Sequence, residues 1–245
     1  MLWGCRKASP KNAMIRAVFL DFYNTICYFV PSRDERQAQA CRDYGLEVAK
    51  PALWRAYVTA EDYWTAENAR SALARRTPEE MEVFYADYEQ VLLAAAGLEV
   101  SREEALQIYR RYAQMERSLR TFDDVSPTLA ELRQRGLKIG LISNTDRDVR
   151  PFCAEMGVAA DFDFILSSCA VGFEKPDPRI FQVALDLAAV QPHEAVHVGD
   201  QYMSDVVGAL AAGIRPLLLD RYGMLGHRDG CERIASLREI AKRIA

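Results

Sequence analysis

Lysine is scarce in this chain of 245 residues, with 6 lysines against 25 arginines, so a lysine inside a motif carries more information than usual. The chain also lacks a basic excess. Its net charge is −4, and the positive face that nucleic acid or an anionic membrane surface requires is missing. Long apolar runs are absent: nothing approaches the ~20 residues of a membrane span. No apolar stretch precedes the charged residues of MLWGCRKASPKN to make a signal peptide. The six cysteines (Cys5, Cys27, Cys41, Cys153, Cys169 and Cys231) contain no CxxC pair. They read as reduced thiols, each a small core residue, in a cytoplasmic protein. Internal repeats and low-complexity tracts are likewise lacking.

What is present is a strand–helix alternation. Five short apolar runs read as buried strands: RAVFLDF (16–22), LKIGLIS (137–143), DFILSS (163–168), AVHVGD (195–200) and RPLLLD (215–220). Between the later ones, Ser126-Pro127, Asp177-Pro178 and Gln191-Pro192 place proline where helices begin. Such alternation implies an α/β fold, a Rossmann-like parallel sheet covered on both faces. Residues 1–13 precede the ordered pattern and read as a loose extension.

The stretch from 32 to 121 differs. It shows no convincing strand and four helix starts. Ser32 to Glu35, Thr77 to Glu80 and Ser101 to Glu104 each fit a capping box, and Pro51 opens a further helix. Leu53, Tyr57, Ala60 and Trp64 share one helical face, as do Ala105, Ile108, Tyr109, Tyr112 and Leu119. These aromatics read as bundle core. The layout is thus a discontinuous core, 14–30 and 122–245, interrupted by an all-helical insert over 31–121.

Three strand ends carry polar residues suited to chemistry: Asp21, Ser143-Asn144 and Asp200. A strand-terminal aspartate is often only a helix cap. Four connecting loops, however, carry a coherent series: DFYNT (21–25), SN (143–144), KP (175–176) and GDQYMSD (199–205). The order and spacing of these motifs, with the insert after the first, resemble the haloacid dehalogenase-like hydrolase superfamily, subfamily I with a helical C1 cap. That resemblance implies catalysis by Asp21, Thr25, Ser143, Asn144 and Lys175, with Asp21 as the nucleophile that forms a covalent intermediate. It further implies Mg²⁺ held by Asp21, the Tyr23 carbonyl and Asp200, with Asp205 as a ligand or as support. Lys175 would place a positive charge near a substrate phosphate, and Ser143 a hydroxyl donor.

The first motif departs from the phosphatases of this superfamily, which carry Asp-x-Asp. Tyr23 replaces their general acid/base. A phenol with a pKa of about 10 is a poor base at neutral pH, and losing general acid–base help costs ~10²–10⁴-fold in rate. The 2-haloacid dehalogenases are similar here in Asp21, Tyr23 and Thr25, and a halide leaves without needing a proton. Arg55 resembles their cap arginine, which with Tyr23 and Asn24 would contact substrate. It lies about 200° around the helix from the stripe begun at Leu53, facing a cleft or water. Against that branch stand Phe181, where the family has tyrosine, and Asp200, whose extra carboxylate implies a cation opposite Asp21. The expected function is therefore a Mg²⁺-dependent phosphatase acting on a small phosphorylated metabolite. The alternatives are a haloacid hydrolase and a non-catalytic phosphate-binding protein; monomer and homodimer both stay open.

His193 to His197, HEAVH, matches a zinc-protease pattern. That pattern needs a helix to bring both histidines to one face, whereas AVHVGD reads as a strand. His197 is expected to be a strand residue.

Overall fold

A computed structural model of the chain describes residues 14–71, 73–225 and 230–244. The extension expected over 1–13, and Cys5 within it, lie outside the described residues. In chain order the strands are β1 (Ala17–Leu20), β2 (Cys27–Val30), β3 (Ser118–Thr121), β4 (Lys138–Ser143), β5 (Phe164–Ser167), β6 (Ala195–Gly199), β7 (Arg215–Leu219) and β8 (Glu232–Ile234). The chain divides into two compact units. One gathers the residues up to Ile26 with Phe122–Arg221 and the carboxyl-terminal segment; the other is Cys27–Thr121 with the segment that begins at Tyr222.

The first unit is built on a six-stranded parallel sheet of order β5-β4-β1-β6-β7-β8. All four residues of β1 are fully buried, as its unbroken apolar run requires of a central strand covered on both faces. Phe19 meets Phe164 of β5 edge-on, with ring centroids 5.7 Å apart. Gly140, on β4 between them, leaves room for the Phe164 ring: a Cβ there would stand 2.2 Å from it. The helix Pro178–Ala188 starts where the sequence places it, with the Asp177 carboxylate accepting from the Arg179 N–H. Its Ile180, Phe181, Ala184, Leu185 and Ala188 pack against Ala17, Phe19 and Ile142 of the sheet. Each such buried side chain of Leu or Phe size contributes ~1.5–3 kcal/mol.

Two features differ from expectation. Gln191-Pro192 opens only the short turn Pro192–Glu194, because β6 begins at the next residue. A sixth strand, β8, joins β7 at the sheet edge; its Glu-Arg-Ile sequence is too short and too charged to read as a strand, although charge suits an edge.

The second unit holds the four expected helices, α1 (Arg33–Asp43), α2 (Lys50–Arg70), α3 (Pro78–Ala95) and α4 (Arg102–Ala113). All three capping boxes form, at Ser32, Thr77 and Ser101, and Pro51 sits in the first turn of α2. Leu53, Ala56, Tyr57 and Ala60 of α2 pack with Ala38 of α1 and Leu92 of α3. Leu119 is not part of the α4 face. It lies on β3, paired with Phe29 of β2 in a two-stranded antiparallel ribbon that the sequence reading had not anticipated. The ribbon's weak exposed–half-buried alternation hid it.

Cys27, Cys41 and Cys153 are buried as expected, whereas Cys169 is exposed and Cys231 only half-buried, which corrects their reading as core residues. No described helix is long and apolar enough to cross a membrane.

α1 and α3 also share a buried polar pair, in which the Gln37 amide donates to the Glu89 carboxyl. Burial pushes Glu89 up to about 8, with the Gln37 hydrogen bond a smaller opposing effect. A carboxyl whose folded pKa lies above its unfolded value binds its proton more tightly when folded. Its contribution to stability is complete below about pH 4.5 and is lost as pH rises through about 8. Urea denaturation is therefore expected to show a loss of ~2–4 kcal/mol between pH 5 and 8.5 that Glu89→Gln removes. A parent and a variant with parallel pH profiles would refute this account.

Candidate active site

The carboxyl ends of β4, β1 and β6 lie side by side, and each delivers one part of the site. Asp21 follows β1, Ser143 ends β4, and Asp200 follows β6. Chain connections leave β1 toward β4 on one side, and β6 toward β7 on the other. The β1–β6 boundary is thus the crevice where parallel α/β sheets bind ligands. The Asp21 N–H donates to the Val198 carbonyl at 2.9 Å, which locks the end of β1 against β6. Asn24 then takes a left-handed backbone, φ 59°, and turns the loop.

Lys175, expected in a loop, is 3% exposed and spans two carboxylates. Its ammonium donates to Asp21 Oδ1 at 2.6 Å and to Asp205 Oδ1 at 2.7 Å. The Asn144 side chain explains how it is held: Asn144 Nδ2 donates to the Lys175 carbonyl and the Lys175 N–H donates to Asn144 Oδ1, both at 2.7 Å. Asn144 thus positions the backbone of the lysine. Asp205 sits in a π-helical segment, Tyr202–Val207, a form that recurs at functional sites. Besides Lys175 it accepts from His197 Nε2 at 2.9 Å and from the Gln201 N–H at 3.0 Å.

Gly199 makes this possible. A Cβ at that position would lie 2.1 Å from the Asp205 carboxylate carbon, so only glycine lets the carboxylate lie against the strand.

Ligand oxygens of Asp21, Asp200 and Asp205 come within 4.8 Å of one another. Burial pushes Asp21 up to about 6; the Lys175 charge pulls it down and Asp205 pushes it up further. Burial also raises Asp205, but the Lys175 charge and the His197 hydrogen bond outweigh it and hold the carboxyl below its usual range. Lys175 loses basicity to burial and regains more from Asp205 and Asp21, so it stays charged. Burial keeps His197 below the ordinary histidine value against the pull of Asp205. Facing an ionised Asp205, the neutral ring carries its proton on Nε2. The hydroxyls of Thr25 and Ser143 are fully buried, and Thr25 Oγ1 and Ser143 Oγ have no hydrogen-bond partner among the described residues. An unsatisfied buried hydroxyl costs ~1–3 kcal/mol. Tyr23 is half-buried, its ring edge-on to Phe22 at 4.7 Å. Arg55 lies on α2 in the second unit and is exposed, whereas Leu53, Ala56, Tyr57 and Ala60 beside it are buried.

Comparison with known proteins gives the chain a family. The family model for haloacid dehalogenase-like hydrolases matches residues 15–213. The chain belongs to that family. Among curated relatives, this hydrolase is similar to human haloacid dehalogenase-like hydrolase domain-containing protein 3, 46% identical over 97 residues, 40% of this chain and 39% of that one. It is also similar to phosphoserine phosphatase of Thermus thermophilus, 38% identical over 120 residues, 49% of this chain and 48% of the relative. Both alignments span less than half of the relative's length. Among solved structures, it resembles the 2-haloacid dehalogenase of Pseudomonas syringae pv. Tomato, with TM-score 0.56 and 25% identity, covering 94% of this chain and 97% of that one.

Two contributors to the hydrolase's site escaped the sequence reading. His197 was read as a plain strand residue; its imidazole instead buttresses Asp205, and the residue lies two positions before Gly199 on the same strand face. HEAVH forms no α-helix, since His193 lies in the single turn before β6 and His197 within the strand, so the zinc-protease pattern does not assemble. Arg221 donates to the Thr25 carbonyl at 2.7 Å and pairs with Asp124 at 2.8 Å, tying the loop after Asp21 to the sheet. Nothing local to Arg221 signals that contact.

Gly199→Ala has to displace the Asp205 carboxylate from its partners. Urea denaturation is expected to show a loss of ~1–3 kcal/mol, the usual range for overpacking a buried position. Unchanged stability would mean that Asp205 does not depend on the missing Cβ.

Proposed function

We propose that this hydrolase is a Mg²⁺-dependent phosphatase that transfers a phosphoryl group to Asp21 and then to water. The observation that carries the reading is three carboxylates whose ligand oxygens lie within 4.8 Å of one another, with a single ammonium bridging two of them. With Lys175 already in contact, Asp21 is still pushed up to about 6, so the cluster is short of positive charge. A hard divalent cation with oxygen ligands relieves that shortage. Asp21 and Asp200, with the Tyr23 carbonyl, would hold Mg²⁺, while the bonds to Lys175, His197 and Gln201 commit Asp205 to supporting the lysine. When bound, the ion supplies charge neutralisation for the incoming phosphate.

The chain's own residues then divide the work. An Asp21 carboxylate oxygen attacks phosphorus, the bond to the leaving oxygen breaks, and the phosphoryl group rests on Asp21. Water attack on that intermediate releases inorganic phosphate and regenerates the carboxylate. Lys175 stabilises charge on the phosphoryl oxygens, and the unpartnered hydroxyls of Ser143 and Thr25 supply donors. Tyr23 gives no efficient acid, so substrates whose leaving groups depart as stable anions, aryl or acyl phosphates, suffer least. The phosphatases among the curated relatives support a phosphate substrate.

A haloacid hydrolase is the second reading, favoured by Tyr23 and by likeness to a dehalogenase structure. It leaves the carboxylate cluster without a purpose.

p-Nitrophenyl phosphate is expected to be hydrolysed with Mg²⁺, not with chelator, and not by Asp21→Asn. Halide release from 2-chloropropionate in the presence of chelator would instead establish the dehalogenase. Tyr23→Asp is expected to speed turnover of an alkyl phosphate by roughly 10²–10⁴-fold, the usual worth of a positioned general acid. No gain would show that the tyrosine is not what limits the enzyme.

A further inference from the structure

The second unit contains a cavity of about 270 Å³, lined by residues of β2 and of all four helices. Its walls are largely aromatic, among them Tyr57, Trp64, Tyr85, Tyr88 and Tyr109. Into this lining comes the guanidinium of Arg36, 2% exposed. Arg36 Nη2 donates to the Tyr112 hydroxyl at 2.9 Å, and the group lies over the Tyr112 ring at 4.2 Å and the Phe29 ring at 5.5 Å. Its Nε and Nη1 are buried and have no hydrogen-bond partner among the described residues. No described carboxylate pairs with it either.

A buried guanidinium cannot shed its proton, so the charge must be met by an acceptor or left uncompensated. Among the described residues of the cavity wall the one acid is Glu89, which is engaged by Gln37 and is kept largely protonated at neutral pH by burial. Exposed Arg117, stacked over Phe29 at 5.1 Å, adds a second positive charge to the lining. The cavity therefore has positive charge to spare, donors without acceptors, and flat apolar walls. Its size suits a single-ring ligand, below the ~300–1,000 Å³ of pockets for drug-sized molecules.

We propose that this cavity is a binding site for a small aromatic anion, its carboxylate or phosphoryl oxygens accepting from Arg36 and its ring lying among the tyrosines. The site shares no residue with the cluster of Asp21, Lys175, Asp200 and Asp205, and the inference does not depend on the reaction assigned there.

Trp64 lines the cavity and reports on it directly. In a full-length Trp3→Phe/Trp54→Phe protein it is the only indole, and its fluorescence can be titrated with benzoate and with phenylphosphonate, which is not hydrolysed. Saturable quenching by at least one is expected, and the tighter ligand assigns the anion as carboxylate or phosphoryl. Arg36→Met is expected to weaken binding by roughly tenfold or more, as loss of charge-assisted hydrogen bonds requires. Asp21→Asn is expected to leave it unchanged. Should Arg36→Met fail to fold, Ala113→Phe tests the same site by filling its exposed edge while keeping the arginine, and it is expected to abolish quenching. Absence of saturable quenching by either anion overturns the proposal. So does quenching that survives both Arg36→Met and Ala113→Phe, or quenching that Asp21→Asn removes.

Discussion

The ammonium of Lys175, buried between the carboxylates of Asp21 and Asp205, is the contact on which the rest of the site depends. An isolated lysine at that depth would lose its charge, and an isolated pair of aspartates would hold theirs only at high cost. Together they keep each other ionised, provided each is placed to a fraction of an ångström. The fold supplies that placement from four directions. Asn144 clamps the lysine backbone, Gly199 makes room for the Asp205 carboxylate, His197 and the Gln201 N–H take up its remaining acceptor capacity, and β1 delivers Asp21 from the centre of the sheet. Removal of Lys175 itself leaves two buried carboxylates short of a partner.

Three buried carboxyls show how far surroundings decide the state of one chemical group. Asp205, met by an ammonium, an imidazole and a backbone N–H, is held below the usual carboxylate range. Asp21 shares the same lysine but gains less from it, and burial pushes it to about 6. Glu89, with only an amide for company, rises to about 8. The order follows the positive charge within reach, since desolvation raises all three. The proposed cation beside Asp21 and Asp200, and the proposed anion beside the Arg36 donors that lack acceptors, each answer such a shortage of opposite charge.

Much of this was legible in the chain itself. The apolar runs mark five of the six strands of the parallel sheet, because a strand covered on both faces must be apolar throughout. Capping boxes and prolines mark the helix starts, because the unsatisfied N–H groups of a first turn need local partners. Asp21, Ser143, Lys175 and Asp200 could be named because each ends a strand or sits in a connecting loop, where the chain punctuates itself. The two-stranded ribbon and β8 could not, for their residues are half-exposed and carry no apolar pattern.

The sequence by itself determined the order of the elements, the loops that carry the candidate site residues and the presence of tyrosine where the related phosphatases have a proton donor. Only the tertiary structure decided which groups meet. The contact between Lys175 and Asp21 joins residues 154 positions apart, that between Arg221 and Thr25 joins residues 196 apart, and His197 acts through a carboxylate eight residues on. None leaves a local periodicity to read, because hydrogen bonding and desolvation depend on distance in space and not along the chain. The same holds for Arg36, an ordinary arginine in an amphipathic helix until packing surrounds it with aromatic rings and takes away its water.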